Sequence, residues 1–180
     1  GNGPCPECST HKKTAMAGRP KINLQPSRTG KVLDILGWLA LFMLWELTVS
    51  HYGRLPDIIP THFNLAGHAD RSGGKATILV LPVLATVLFV TMTVLNRFPW
   101  IFNYPVKITP ENARVQYANA TRMVRWLKLD IVIVFGLIFF KTIGTATDHS
   151  PFTGISLSAI ALCLIGIPLG YYFVRSIRNR

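Results

Sequence analysis

Apolar residues in this chain fall into four long runs separated by polar stretches, at 32–52, 76–95, 129–145 and 152–174. Each run approaches the roughly 20 residues that an α-helix needs to cross about 30 Å of hydrocarbon. None shows the strict alternation of a membrane β-strand. The pattern therefore predicts an all-α, integral membrane four-helix bundle. It divides the chain into a flexible basic N-terminal arm at 1–30 and a transmembrane domain at 31–180, with loops at 53–75 and 96–128. Pro82 and Pro168 fall inside the second and fourth runs, where kinks are the expected consequence. In the longer loop, Thr109, Pro110 and Glu111 read as a helix start. The following residues mix Val115, Met123 and Trp126 with Arg114, Arg122 and Arg125, and an amphipathic helix on the inner membrane surface is expected there, turning into the third crossing.

Charge then orients the bundle. Of the 180 residues, 49% are hydrophobic and only 15% charged, below the usual globular share. The net charge of +11 alone would suit nucleic acid, but the positions of the charges exclude that partner. Lys12, Lys13, Arg19, Lys21, Arg28 and Lys31 precede the first run. Arg97, Lys107, Arg114, Arg122, Arg125 and Lys128 lie between the second and third, and Arg175, Arg178 and Arg180 close the chain. Only Arg54, Arg71 and Lys75 fall on the other side. The excess places both termini and the 96–128 loop in the cytoplasm of a multi-pass protein of the cell (inner) membrane, with the 53–75 loop outside. Each basic residue near the surface attracts anionic lipid headgroups by about 1 kcal/mol, which makes the bilayer itself a partner.

Two charges lie deep in the runs. Counted from Lys31 and Lys128, Glu46 is about 22 Å and Lys141 about 20 Å along its helix, so an intramembrane ion pair is expected between them. Its role is either to hold helices together or to form part of an ion path. Asp130, eleven residues before Lys141, shares its helical face, and that face should point into the bundle. Asp34 is read as hydrated near the inner surface.

The outer loop concentrates the remaining polar chemistry. Pro56 and Pro60 stiffen it, and Gly67, Gly73 and Gly74 supply turns. Three readings stay open. The loop is a rigid cap, with Asn64 and Asp70 bonding its amides. Alternatively, His62, His68 and Asp70 form a metal site, joined by His51, Asp57 or His149, whose imidazole and carboxylate donors suit zinc. Or Pro60, His62, Phe63, Asn64, Gly67 and Asp70, with Ile58 or Ile59, form a partner surface. A second half-site, Cys5, Cys8 and His11, has zinc-ligand spacing in the arm and needs a further ligand from another chain. No other cofactor is expected.

The order of residues in that loop is itself recognisable. Leu55-Pro56-Asp57, then Ile59-Pro60, His62-Phe63-Asn64, Gly67, Asp70, Gly73 and Lys75 running into an apolar helix, resembles a small bacterial and archaeal membrane domain of unknown function. That domain also stands at the N-terminal end of immunity proteins against the sporulation-delaying peptide toxin. Asn103-Tyr104-Pro105-Val106, Ile108-Thr109, Glu111-Asn112 and Leu127-Lys128 resemble the block that often follows it, so the likeness covers roughly 32–129. In the immunity proteins the resemblance implies toxin neutralisation at the membrane and capture of a small transcriptional repressor. Together these readings predict a protein that acts by binding, immunity-like or signalling-like. An accessory subunit of a larger membrane complex is the alternative, and a metal-dependent enzyme or ion transporter ranks last, because no nucleophile or carboxylate-pair constellation is visible.

Overall fold

The computed structural model describes residues 19–147 and 156–179. In chain order these form α1 (Arg28–Tyr52), a hairpin of β1 (Ile58–Phe63) and β2 (Ala69–Gly74), a 3-10 turn (Lys75–Leu79) that runs into α2 (Val80–Leu95), a short 3-10 turn (Pro99–Ile101), α3 (Ala113–Ala146) and α4 (Leu157–Arg178). The chain is mostly helical, and Arg28–Tyr52, Lys75–Leu95 and Leu157–Arg178 are each long and apolar enough to cross a membrane. The hairpin corrects the all-α expectation. Ile58-Ile59-Pro60-Thr61 is a short β-favouring stretch, and its strand signal is too brief to stand out against the helical runs on either side.

Helix α1 starts where the Ser27 hydroxyl accepts the Gly30 amide at 3.2 Å. Its buried face is Gly30, Leu33, Gly37, Leu41, Leu44 and Thr48, the three- and four-residue spacing of one helical stripe. Gly37 permits the close approach of α2, since a Cβ there would sit 2.6 Å from the Phe89 ring. Phe89 in turn meets Trp38 edge-on at 4.8 Å, and Trp45 Nε1 donates to Thr86 Oγ1 at 3.0 Å. Pro82 lies in the first turn of α2, where its missing amide leaves no helical bond unmade.

Helix α3 is the hub. Its start is a reciprocal turn in which Asn112 Oδ1 accepts from the Thr109 amide at 2.9 Å and Thr109 Oγ1 accepts from the Asn112 amide at 3.4 Å. From Ala113 it continues unbroken for 34 residues, about 51 Å, some 20 Å more than the hydrocarbon thickness. This corrects the expected surface helix that turns into a crossing. No Pro or Gly lies between Ala113 and Phe135 to break it, and its apparently amphipathic first half buries Ala113, Gln116, Tyr117, Asn119 and Thr121 against other protein. Gln116 Nε2 donates to the carbonyls of Ser176 (2.9 Å) and Asn179 (2.7 Å), and Asn119 Nδ2 donates to Tyr172 O at 3.0 Å, which fastens the end of α4. Asn96 Nδ2 reaches Thr121 O at 3.2 Å from the end of α2. The described part of the N-terminal arm also docks here. Arg19 Nη1 donates to Trp100 O and Phe102 O and stacks 5.6 Å from the Tyr104 ring. Burial pushes the Tyr104 phenol's pKa upward, so it stays protonated and donates to Pro99 O at 2.8 Å.

At the same end of the bundle lies a charge cluster. Asp34 of α1 accepts from Arg125 Nε at 3.0 Å and pairs with Lys128 Nζ at 2.6 Å. Lys128 is 1% exposed; its ammonium also donates to Thr93 Oγ1 at 3.1 Å and sits 4.6 Å from the centre of the Phe89 ring. Asp34, expected to be hydrated, is therefore the counter-charge that links α1 to α3, and Lys128 extends the link to α2.

Asp34→Ala is expected to lower the unfolding free energy in detergent micelles by about 2–3 kcal/mol, below the loss for a fully enclosed pair because the Asp34 side chain is 32% exposed. Glu46→Gln should change it by less than about 0.5 kcal/mol. Gly37→Ala should cost about 1–3 kcal/mol through overpacking against Phe89, and Phe89→Leu should recover part of that loss. Thermal unfolding followed by circular dichroism reads all three.

Candidate functional site

The hairpin grows from the ends of α1 and α2 and closes the bundle opposite the charge cluster. Leu55 and Ile59 are buried with Ile78 and Phe139 in the common core, so one side of β1 plugs the space between the helices. Its base is tied twice to Asp57, by the Lys75 amide to the Asp57 carbonyl at 2.9 Å and by Lys75 Nζ to the Asp57 carboxylate at 2.9 Å. The tip is a tight turn. The Asn64 amide donates to His68 O, the Gly67 amide donates to Asn64 O, and Asn64 Oδ1 accepts from the His68 amide at 3.0 Å. Gly67 has φ 83, a left-handed conformation that a Cβ would strain. Ser156, which caps α4, donates its hydroxyl to Leu65 O at 2.9 Å and ties the tip to the bundle.

The strands pair antiparallel from Ile58 opposite Gly74 to Phe63 opposite Ala69, with two irregularities. Thr61 and Asp70 are the extra residues, one on each strand, and such bulges re-aim neighbouring side chains. Here His62 Nδ1 donates to Asp70 Oδ1 at 2.5 Å on the open side, both side chains exposed. Phe63 turns the other way and lies 5.8 Å from Lys141 Nζ, measured to the ring centre. Thr61, His62 and Phe63 with Leu137, Ile138 and Leu157 line a cavity of about 250 Å³ between the hairpin, α3 and α4.

The residues singled out in sequence are thus only partly brought together. His62 and Asp70 meet, Asn64 and Gly67 build the turn, and Pro60 and Phe63 are half-buried beneath it. His68 stays apart, and among the described residues no group of three His, Cys, Asp or Glu side chains is close enough to hold a metal ion. His51 is engaged elsewhere, with Nδ1 2.9 Å from Leu47 O and its ring edge-on to Phe139. Cys5, Cys8, His11 and His149 lie outside the described residues.

Glu46 and Lys141 are not brought together. Lys141 is 3% exposed, whereas Glu46 is exposed, lying two residues from both Leu44 and Thr48 and so about 200° around α1 from its buried stripe. Similar depth along two helices does not give two residues a common face. Asp130 and Lys141 are both buried, as their eleven-residue spacing requires. Ser156 carried no sequence signal beyond that of a helix cap. Asp34 did carry one, a carboxylate three residues into an apolar run.

Gly67→Ala is expected to loosen the turn by about 1–2 kcal/mol. Hydrogen exchange at the Asn64 and Gly67 amides should quicken accordingly, about fivefold to thirtyfold, with exchange in α2 and α3 unchanged.

Residues 38–86, running from α1 through the hairpin into α2, match the family model described as Domain of unknown function (DUF1648). An uncharacterized protein of Archaeoglobus fulgidus is 36% identical over 95 residues, covering 47% of this chain and 52% of that protein. The chain therefore spans about half the length of that relative. No solved structure matches. The hairpin and its flanking helices are accordingly the part of the fold that is similar to a domain of unknown function.

Proposed function

We propose that the protein is a four-helix, multi-pass membrane protein that acts by binding, with the open side of the hairpin as its recognition surface. α3 serves as the remaining crossing, because it reaches from the Gln116 contacts at the basic end to Lys141 beneath the hairpin. The excess of Lys and Arg directs the basic end to the cytoplasm and the hairpin outward. The observation that carries the binding role is Leu65. It is 82% exposed in a turn held by the Asn64 and Gly67 bonds within and by Ser156 from α4. Because the turn backbone that carries this apolar side chain is already fixed, and the His62–Asp70 pair lies on the same hairpin, little backbone entropy is lost when a partner covers it. An immunity-like partner would be a peptide at the membrane surface.

An accessory-subunit role draws on α4. Only Tyr172 and Ser176 of its described residues are buried, so most of its apolar length is open to lipid or to another helix.

Purification in mild detergent should recover a stoichiometric partner with the wild type, and Leu65→Asp should weaken that association by about thirtyfold, the loss typical of a central anchor. Equal recovery with both proteins would sink the hairpin as the recognition surface. If the partner survives Leu65→Asp but is lost when Leu162 on α4 becomes Asp, the subunit reading holds instead. Expression that protects cells from a membrane-active peptide, lost in Leu65→Asp, would single out the immunity-like role.

A further inference from the structure

At the end of the bundle opposite the hairpin, a cavity of about 670 Å³ opens between the start of α1, the end of α2 and the first half of α3. Five basic side chains, Lys21, Arg97, Arg122, Arg125 and Lys128, line it, against the single carboxylate of Asp34. That carboxylate is already ion-paired with Arg125 and Lys128. Lys21, Arg97 and Arg122 make no side-chain hydrogen bond or ion pair among the described residues. Like charges drawn together around a recess repel one another, and the repulsion is relieved by an anion with several acceptor oxygens. Arginine forks match the oxygens of a phosphate better than they match a single-atom anion. Phe98 and Trp100 also line the cavity, their rings edge-on at 5.6 Å, an aromatic pair of the kind found at headgroup level.

We propose that this cavity binds a phosphate group, with Arg97 and Arg122 as its principal ligands and Lys21 as a third, supplied by the headgroup of an anionic phospholipid or by a soluble phosphate. The site is independent of the hairpin and of what the hairpin recognises. Basic recesses between membrane helices are suited to anionic headgroups, because the phosphate reaches the cations while the acyl chains stay in lipid. Asp34 has a second part here. By holding Arg125 and Lys128 in place it leaves the other three cations to face the ligand.

The test uses the full chain in dodecyl maltoside with three variants: Arg97→Gln/Arg122→Gln, the charge-retaining Arg97→Lys/Arg122→Lys, and Lys107→Gln/Arg114→Gln, which removes equal charge outside the cavity. Native mass spectrometry reads the binding of phosphatidylglycerol against phosphatidylcholine of the same chain length. Thermal unfolding reads inorganic phosphate against chloride at matched ionic strength. Phosphatidylglycerol should be preferred by the wild type. The preference should fall about tenfold to thirtyfold in the Gln cavity variant, partly recover in the Lys variant and be unchanged in the Lys107/Arg114 control. Protection by inorganic phosphate that is lost in the Gln cavity variant, without a preference for phosphatidylglycerol, would assign the same site to a soluble phosphate. The proposal fails if neither ligand binds, or if both glutamine variants lose binding equally, since that marks diffuse surface charge. It fails also if the Gln cavity variant, folded as judged by its ligand-free unfolding, binds as the wild type does.

Discussion

An ammonium group withdrawn from water must be met by a counter-charge and by hydrogen-bond acceptors, and at Lys128 this requirement organises the bundle. The group is supplied with Asp34 from α1, Thr93 from α2 and the face of Phe89, so three helices share one buried cation. Arg125, one turn earlier, completes the carboxylate's coordination and packs against Gly30. Removing Asp34 takes away the counter-charge of an ammonium that is 1% exposed, whereas removing Thr93 takes away only a neutral acceptor. The arrangement sets both the rotation of α1 against α3 and their relative height.

Once α3 is held there, its length does the rest. A helix of about 51 Å reaches both ends of the bundle, with Gln116 and Asn119 gripping the end of α4 on one side and Phe139 and Lys141 meeting the hairpin on the other. The hairpin is consequently part of the core and more than a connection. Ile59 is 1% exposed, nearly as buried as the helix residues of the core, while the bulges at Thr61 and Asp70 turn the His62–Asp70 pair outward. One short element serves both as a plug and as an exposed surface, because the side chains of a strand alternate between two faces and the bulges adjust which side chain goes where.

The two ends differ in how their chemistry is made. At the hairpin it is local: residues within eight positions of one another build the turn and the His–Asp pair, with Ser156 a distant contributor among the described residues. At the basic end it is assembled from afar, since Lys21, Arg97 and Arg122 come from separate segments and meet only when α1, α2 and α3 pack. The ordered motif of the hairpin was therefore readable as a unit in the sequence. The basic cavity was visible there only as an excess of charge near the membrane ends.

The sequence by itself determined the apolar runs that become the helices, the segregation of basic residues to one end, and Gly67 as a turn residue. These follow from hydrophobic run length, charge position and the backbone limits of Gly and Pro, all of which act over a few residues. Only the tertiary structure decided that Asp34 rather than Glu46 is the interhelical carboxylate, that the first half of α3 faces protein instead of lying on lipid, and that His62 pairs with Asp70 while His68 stands aside. Each of these depends on how one helix is rotated against another or how one strand is bulged. Depth along a helix can be counted in one dimension, whereas the face it presents is set by packing among several elements at once.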